Sequence, residues 1–85
     1  MTNNKSITLS INVLYEGGTA KLDQIETYIT KSIALTNNYN IVTLTGPGPV
    51  WLYLKLAHAL HGKVTTLYYE SPVTGPVQIF DHNPF

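Results

Sequence analysis

The stretch that decides the fold is IVTLTGPGPVWLYLKLAHALH, residues 41–61. It opens with Ile41, Val42 and Leu44, a β-branched and apolar run that is typical of a short strand. The turn Thr45-Gly46-Pro47-Gly48-Pro49 interrupts this run, since glycine and proline mark turns. Residues from Val50 onward are apolar for about three helical turns. The stretch therefore predicts a strand, a tight turn and a helix in direct succession.

The predicted helix from Val50 to His61 has suitable residues at both ends. Pro49 suits the first helical turn, where its missing N–H is not needed. Gly62 suits the left-handed cap after the last turn. Almost every residue between them is apolar, and a helix without a polar stripe is expected to be buried on more than one side.

The chain before this stretch predicts a strand and a helix. Apolar residues alternate from Ser6 to Tyr15, the period of a half-buried strand, and Glu16-Gly17-Gly18-Thr19 ends that strand. An amphipathic helix follows, ended by Thr36-Asn37-Asn38. Its apolar face contains Leu22, Ile25, Tyr28, Ile29 and Ile33.

The chain after Gly62 predicts two more strands. Val64 to Tyr69 forms the first, Ser71 to Pro76 a turn, and Val77 to Phe80 the second, which ends in Asp81-His82-Asn83. The order is βαβαββ, in which two β-α steps imply parallel strands with right-handed crossovers. The last strand is antiparallel. We therefore expect one α/β domain over residues 1–85, a minimal Rossmann-like fold with a mixed sheet.

Composition narrows the possible functions. Of 85 residues, 44% are hydrophobic and 12% charged, so burial between subunits is expected. Five lysines balance five acids and arginine is absent. Binding of long DNA or RNA is therefore not expected, because it normally uses many lysine and arginine side chains to neutralise phosphates. Without cysteine, neither disulfides nor a Cys-based zinc site can form. Met1 to Ser6 does not resemble a signal peptide, and no apolar run could span a membrane, so we expect a cytoplasmic protein.

Two glycine loops, Gly17-Gly18 and Gly46-Pro47-Gly48, follow predicted parallel strands. Ligands of such sheets bind beyond the carboxyl ends of the strands, where both loops lie. The second loop opens a helix, whose free N–H groups and positive dipole end favour anions. It matches neither G-x-G-x-x-G nor a Walker loop. A purely structural strand-to-helix turn is therefore the alternative to an anion site.

Histidines and aromatic residues are further candidates. His58 and His61 share a helix face and could act in acid–base chemistry. As metal ligands they lack partners, since His82 is distant in sequence and zinc takes three or four ligands, so the polar end of a packed helix is the favoured interpretation. Trp51 could stack on a base or fill the core. Glu70 and Asp81, at strand ends, could pair or simply be solvated.

Residues 46–61, GPGPVWLYLKLAHALH, resemble a segment of a small CRISPR-associated protein family, Csx-three. The family segment reads Gly-Arg-Gly-Pro-x-Trp-Leu, followed by Leu-Ala-His. The likeness continues through the strand Val64 to Tyr69 and the closing strand to His82, and covers roughly half of the chain. The short length is also similar to a divergent relative, the Csx-fifteen family.

The resemblance implies a role in type III CRISPR antiviral systems. The family binds cyclic oligoadenylate, chiefly cyclic tetra-adenylate, on a reduced CARF domain, a Rossmann-like fold. Some members are ring nucleases that cleave it without a metal or cofactor, by attack of a ribose 2′-hydroxyl on the neighbouring phosphate. Their dimers sandwich the ligand and stack into longer assemblies. The resemblance implies that the ligand contacts Gly46, Pro47, Gly48, Pro49, Trp51 and His58, and that His61 and His82 are catalytic. The predicted ligand-binding residues also include Gly17 and Gly18, from their place at the carboxyl ends of the strands, and the strand-end acid Glu70. Lys63 joins the predicted catalytic residues as a charge that could stand in for a missing arginine.

Two departures from the family pattern decide between binding and cleavage. Pro47 stands where the family has arginine, and Glu70-Ser71-Pro72 stands where the family has Asp-Pro-Arg. Arginine stabilisation of phosphoryl-transfer transition states is worth about 10³–10⁵ in rate, and Lys63 replaces it only as a point charge. We therefore expect sequestration of cyclic tetra-adenylate. A slow ring nuclease and a purely structural or interaction protein are the alternatives.

Overall fold

The computed structural model describes residues 5–82, and their order of elements is the predicted βαβαββ. Two predicted segments extend beyond these residues. Met1 to Asn4, from the N-terminal segment compared with a signal peptide, and Asn83, predicted to follow the last strand, lie outside the described residues. The strands and α-helices are β1 (Ser6–Ser10), α1 (Ile25–Thr36), β2 (Ile41–Thr45), α2 (Val50–Leu60), β3 (Thr66–Ser71) and β4 (Gly75–Asp81). Two short 3₁₀ helices, Ile11–Leu14 and Leu22–Gln24, connect β1 to α1.

The four strands form one mixed sheet in the order β1-β2-β3-β4. The pairs β1–β2 and β2–β3 are parallel, and β3–β4 is antiparallel. Leu9 of β1 is level with Leu44 of β2, which is level with Tyr69 of β3. This topology confirms the predicted α/β fold, and it is compatible with a minimal Rossmann-like domain.

Both α-helices cover the same face of the sheet. The buried strand residues Val42, Leu44 and Leu67 belong to one cluster with the buried residues of both helices. Two right-handed crossovers that advance in the same direction place their helices on the same side. The opposite face presents small hydroxyl side chains such as Thr8 and Thr43, which point away from the core because strand residues alternate.

The strand predicted from Ser6 to Tyr15 is wrong beyond Ser10. Ile11 and Leu14 are fully buried and Val13 is 60% exposed, which is the spacing of a 3₁₀ turn and not of a strand. The period of two in the sequence is accidental there. Leu22, predicted on the buried face of the first helix, is 65% exposed because that helix begins only at Ile25.

The prediction that α2 is buried on more than one side is wrong for the single chain. Leu52, Leu56 and Leu60 are fully buried, whereas Val50 and Leu54 are 74% and 66% exposed. Pro49 is the residue just before the helix and not within its first turn. Gly62 has φ +88°, as expected for the left-handed cap. The last two strands begin and end within two residues of their predicted limits.

Candidate anion-binding turn and histidine pair

The turn from Gly46 to Pro49 lies at the carboxyl ends of the parallel strands, packed tightly against the end of β1. Gly46 has φ +95°, and a Cβ there would overlap the Ser10 hydroxyl and lie 2.9 Å from Asn12 Oδ1. A Cβ on Gly48 would lie 3.0 Å from Ile11 Cγ1. Gly46 is therefore favoured by its positive φ and by its crowded surroundings, whereas at Gly48 the side chains of Ile11 and Tyr15 would have to move to admit a Cβ.

Two tyrosines hold the carbonyl groups of this turn. The Tyr15 hydroxyl donates to Pro47 O at 2.9 Å, and the Tyr53 hydroxyl donates to Gly46 O. The Tyr53 ring lies edge-on to Tyr69, with ring centroids 4.9 Å apart. Partial burial raises the pKa of Tyr53 above 10.0, and repulsion from the Tyr69 and Tyr15 phenolates adds to the shift. Tyr53 is therefore a neutral donor at physiological pH.

Open grooves lie on both sides of the turn. The groove on the β3 side, about 470 Å³, is lined by Gly46, Pro47, Gly48, Tyr69 and Glu70, among others. The groove on the α1 side, about 360 Å³, is lined by Tyr15, Gly18, Pro47, Gly48, Pro49 and Trp51, among others. The structure thus brings most of the sequence-predicted ligand-binding residues to one place, around a single turn.

The polar groups at this turn are mainly backbone groups. The N–H groups of a helix's first turn have no partner within the helix. Leu52 N and Tyr53 N donate to Pro49 O, which leaves the N–H groups of Val50 and Trp51 for solvent or an anion. Neither groove is lined by a lysine, and Glu70 is the one ionic side chain among their lining residues. Attraction of an anion to this turn would therefore depend on the helix dipole and the free N–H groups.

The histidines lie at the opposite end of α2. His61 Nε2 and His82 Nε2 are 2.9 Å apart, so the N–H of one ring donates a hydrogen bond to the nitrogen of the other. The Phe80 ring contacts both imidazoles, with centroids 5.1 Å from His61 and 5.2 Å from His82. Two imidazole rings in direct hydrogen-bond contact are suited to proton transfer.

Topology explains why two histidines 21 residues apart meet. Strand β4 runs antiparallel to β3, so its end returns to the edge where β3 begins, and His82 N donates to Thr65 O at 2.7 Å. His61 follows the last turn of α2 and bridges to Val64 at the same edge. The two rings are thus held by the ends of a helix and a strand.

The other candidates at this end do not join the histidine pair in a single site. His58 is exposed on the last turn of α2. Lys63 lines a separate depression of about 230 Å³, together with Ile33, Thr36, Asn37 and Val64. Asp81 accepts a hydrogen bond from Thr66 Oγ1 at 3.1 Å. It is level with the start of β3, whereas Glu70 lies near the other end of that strand. Within residues 5–82, no group of three or more His, Asp or Glu side chains is arranged to hold a metal ion.

One chain therefore places most of the predicted binding residues at one end of α2 and the predicted catalytic residues, together with His58, at the other. The 11 residues of α2 span about 16 Å, with the Gly46 turn at one end and His61 at the other. The histidine pair of one chain consequently cannot reach a phosphate bound at the turn of the same chain.

Sequence reasoning missed the two tyrosines that fix the turn. Tyr53 stands on the first turn of α2, and a donor there could have been expected to reach back to the preceding loop. Tyr15 gave no such signal, because its position depends on the end of β1 at Ser10 and on the 3₁₀ turn that follows.

The fold and the turn define a small Rossmann-like protein with a backbone-lined turn at the carboxyl edge of its parallel strands. Comparison with protein families gives the particular family: residues 20–84 match the family described as CRISPR-associated protein (Cas_csx3). The chain belongs to this family. No curated protein and no solved structure matches it significantly. In residues 5–82 no helix has the length and apolar character needed to cross a membrane.

Proposed function

We propose that this protein binds cyclic tetra-adenylate at the Gly46 to Pro49 turn and lowers its free concentration by sequestration. The observation that supports this most directly is the pair of grooves flanking a turn that opens a helix, where the N–H groups of Val50 and Trp51 have no partner within the helix. Such amides bind phosphate without a charged side chain. The family match supplies the CRISPR context, and the resemblance of residues 46–61 to Csx-three proteins supplies the ligand class.

Each groove contributes a different contact in this proposal. A phosphate lies over the N–H groups of Val50 and Trp51. The Glu70 carboxylate, which would repel a phosphate, instead accepts a hydrogen bond from a ribose hydroxyl or an adenine amino group. Trp51 and Tyr69 border the two grooves and offer faces on which adenine stacks.

A repeating ring ligand fits more than one copy of the chain. Cyclic tetra-adenylate repeats one nucleotide four times, and two copies related by a two-fold axis offer it the same turn twice. We therefore propose that the binding unit is a homodimer, which in stacked assemblies contacts the ligand from both sides.

Titration calorimetry with cyclic tetra-adenylate tests the proposal. We expect submicromolar binding and no linear product after long incubation. Pro47→Asp places a carboxylate on the turn and is expected to weaken binding at least tenfold. Val73→Asp adds the same charge at the hairpin tip, where Val73 is 89% exposed, and is expected to bind as the wild type does. Failure of the wild type to bind, or equal binding by both variants, would refute the proposal.

A slow ring nuclease is the second candidate, and the His61–His82 hydrogen bond is the observation that favours it. Because these rings lie about 16 Å from the turn, they would act on a ligand held by another copy in a stacked assembly. Lys63 at the same end would offer a point charge. Linear di-adenylate ending in a 2′,3′-cyclic phosphate, lost in His61→Ala and dependent on protein concentration, is the expected evidence. Cleavage at the wild-type rate by His61→Ala would eliminate this candidate.

Pro47→Arg separates the two candidates further. It restores the residue that the Csx-three pattern has in the turn, and Pro47 is exposed, so the longer side chain has room. We expect tighter binding, because a guanidinium adds a charge-assisted contact to phosphate. Faster ring opening in this variant would indicate that the missing arginine limits catalysis.

A further inference from the structure

A polar pocket lies between the segment 14–21 and the first turns of α1. We call it the lysine pocket; its volume is about 370 Å³, and Lys21 and Lys31 are among its lining residues. Tyr15 and Thr19 line both this pocket and the groove on the α1 side of the Gly46 turn, so the two cavities are neighbours. A ligand in that groove can therefore extend into the lysine pocket.

The lysine pocket carries positive charge on a chain that is neutral as a whole. Two of the five lysines line it, and Glu16 is the one acidic residue among its lining residues, so two positive charges and one negative charge sum to +1. Neither Lys21 nor Lys31 forms an ion pair within residues 5–82. Both ammonium groups are therefore open to an anionic ligand.

The Lys31 ammonium is oriented by a long hydrogen bond to the core. Lys31 Nζ donates to Leu14 O at 3.4 Å, and Leu14 is fully buried. An ammonium group has three donors, so two remain for a ligand. Because Leu14 is fixed by its packing, these two donors are held beside the pocket.

Tyr28 adds an uncharged donor to the same pocket. It is 4% exposed, and its hydroxyl oxygen accepts a hydrogen bond from Lys21 N at 2.9 Å. The O–H proton of Tyr28 has no acceptor among residues 5–82. A buried tyrosine hydroxyl usually has a partner, and an oxygen of an anion in the pocket would accept this proton.

We infer that the lysine pocket is a phosphate subsite, in which Lys21, Lys31 and Tyr28 bind a second phosphate of the oligonucleotide held at the turn. This inference rests on the proposed function and adds a second set of contacts for the same ligand. Phosphate oxygens accept hydrogen bonds from ammonium and hydroxyl groups, and they carry the charge that the two lysines attract.

The two ends of the α1-side groove bind phosphate in different ways. At the turn, the donors are the backbone N–H groups of Val50 and Trp51. At the lysine pocket, the donors are side chains, two of them charged. A nucleotide that lies along the groove presents one phosphate at each end, so binding through both ends selects an oligonucleotide over an isolated phosphate.

Glu16 opposes the two lysines. Its side chain is exposed and lines the same pocket, so its carboxylate repels a bound phosphate. Loss of this charge is expected to tighten binding, whereas loss of a lysine charge is expected to weaken it. Two variants of opposite effect in one pocket distinguish a phosphate subsite from a general disturbance of the loop.

Titration calorimetry with cyclic tetra-adenylate measures these effects. We expect Lys31→Gln to weaken binding about three- to tenfold, Glu16→Gln to tighten it about two- to threefold, and Lys31→Arg, which keeps the charge, to bind within about twofold of the wild type. Lys55→Gln is the matched control. It removes the same charge from an exposed lysine that lines neither groove at the turn nor the lysine pocket, and it is expected to bind as the wild type does.

The salt dependence of binding is a readout that a merely structural role of Lys31 would not change. In a plot of the logarithm of the association constant against the logarithm of the salt concentration, Lys31→Gln should have a slope shallower by up to about 0.7, for one lost phosphate contact. Lys55→Gln should run parallel to the wild type. Equal losses in Lys31→Gln and Lys55→Gln, an unchanged slope in Lys31→Gln, or weaker binding by Glu16→Gln would overturn the inference.

Titration with inorganic phosphate, followed by amide NMR, separates this inference from the proposed function. We expect saturable shifts of the Lys21, Gln24 and Thr27 amides, which are lost when Lys21→Gln and Lys31→Gln are combined. Such shifts in a protein that does not bind cyclic tetra-adenylate would remove the proposed function and leave an anion site. Tight binding of cyclic tetra-adenylate with equal affinity and salt slope in Lys31→Gln would remove the subsite alone, and so would the absence of these shifts in the wild type.

Discussion

Substitution of Gly46 by alanine tests the geometry on which the candidate site depends. Two costs are expected to combine at this position. The φ of +95° is strained for any residue with a Cβ, which costs about 1–2 kcal/mol. The Cβ would also overlap Ser10 Oγ and lie 3.3 Å from the backbone N of Ile11, and overpacking of this kind costs about 1–3 kcal/mol. We expect a loss of about 2–5 kcal/mol in the free energy of unfolding.

Two other glycines separate these costs. Gly62 has φ +88° with nothing within 4 Å of its Cβ position, so Gly62→Ala carries the strain alone. At Gly48 the left-handed strain is absent but Ile11 and Tyr15 crowd the position, so Gly48→Ala carries the overlap alone. The smaller conformational freedom of alanine in the unfolded chain favours all three variants equally, and it cancels in the comparison.

Urea unfolding followed by circular dichroism and Trp51 fluorescence measures the three variants. A chain of this size has a free energy of unfolding of about 4–13 kcal/mol, so Gly46→Ala should shift the midpoint strongly without changing the slope. We expect Gly46→Ala to lower the melting temperature by at least about 4 °C more than Gly62→Ala. Equal destabilisation by these two variants would refute the close approach of the turn to β1.

Two further predictions concern the tyrosines at the turn. Tyr15→Phe removes the 2.9 Å hydrogen bond to Pro47 O and is expected to cost about 0.5–1.5 kcal/mol in urea unfolding; Tyr68→Phe serves as the matched control, and an equal loss there would contradict the assignment. The pKa of Tyr53 is raised in the folded state, so the folded chain retains a proton that the unfolded chain releases near pH 10. Stability from this group is therefore complete below about pH 10 and falls as pH rises through the folded pKa, and Tyr53→Phe should flatten the alkaline end of a stability–pH curve. An unchanged curve would show that the hydroxyl is equally solvated in both states.

The turn itself was predictable from the sequence. Residues 41–61 contain a β-branched strand, two glycines, two prolines and a long apolar helix, and each local preference favours the same strand-turn-helix unit. Family likeness in the same residues then indicated the ligand class. The strand-turn-helix prediction and the family likeness were confirmed because both depend on neighbours in sequence, whereas the ligand class stays a prediction.

The end of β1 was not predictable in this way. Ile7, Leu9, Ile11 and Val13 alternate without interruption, yet the chain enters a 3₁₀ helix at Ile11, whose side chain packs close to Gly48. Tyr15 follows this helix and reaches Pro47, 32 residues later. Local pattern contains no information about such a packing partner.

By itself, the sequence determined the order of elements, the family, the glycine turn and the absence of arginine from the chain. Only the tertiary structure decided which candidates share a site. It placed the Gly46 turn and His61 at opposite ends of α2, brought His82 to His61 because β4 is antiparallel, and left Val50 and Leu54 of α2 exposed. The physical reason is that a helix is rigid and straight, so Gly46 and His61 at its two ends are held apart. An antiparallel strand returns to the end where its neighbour begins, so His82 meets His61 although they are distant in the sequence.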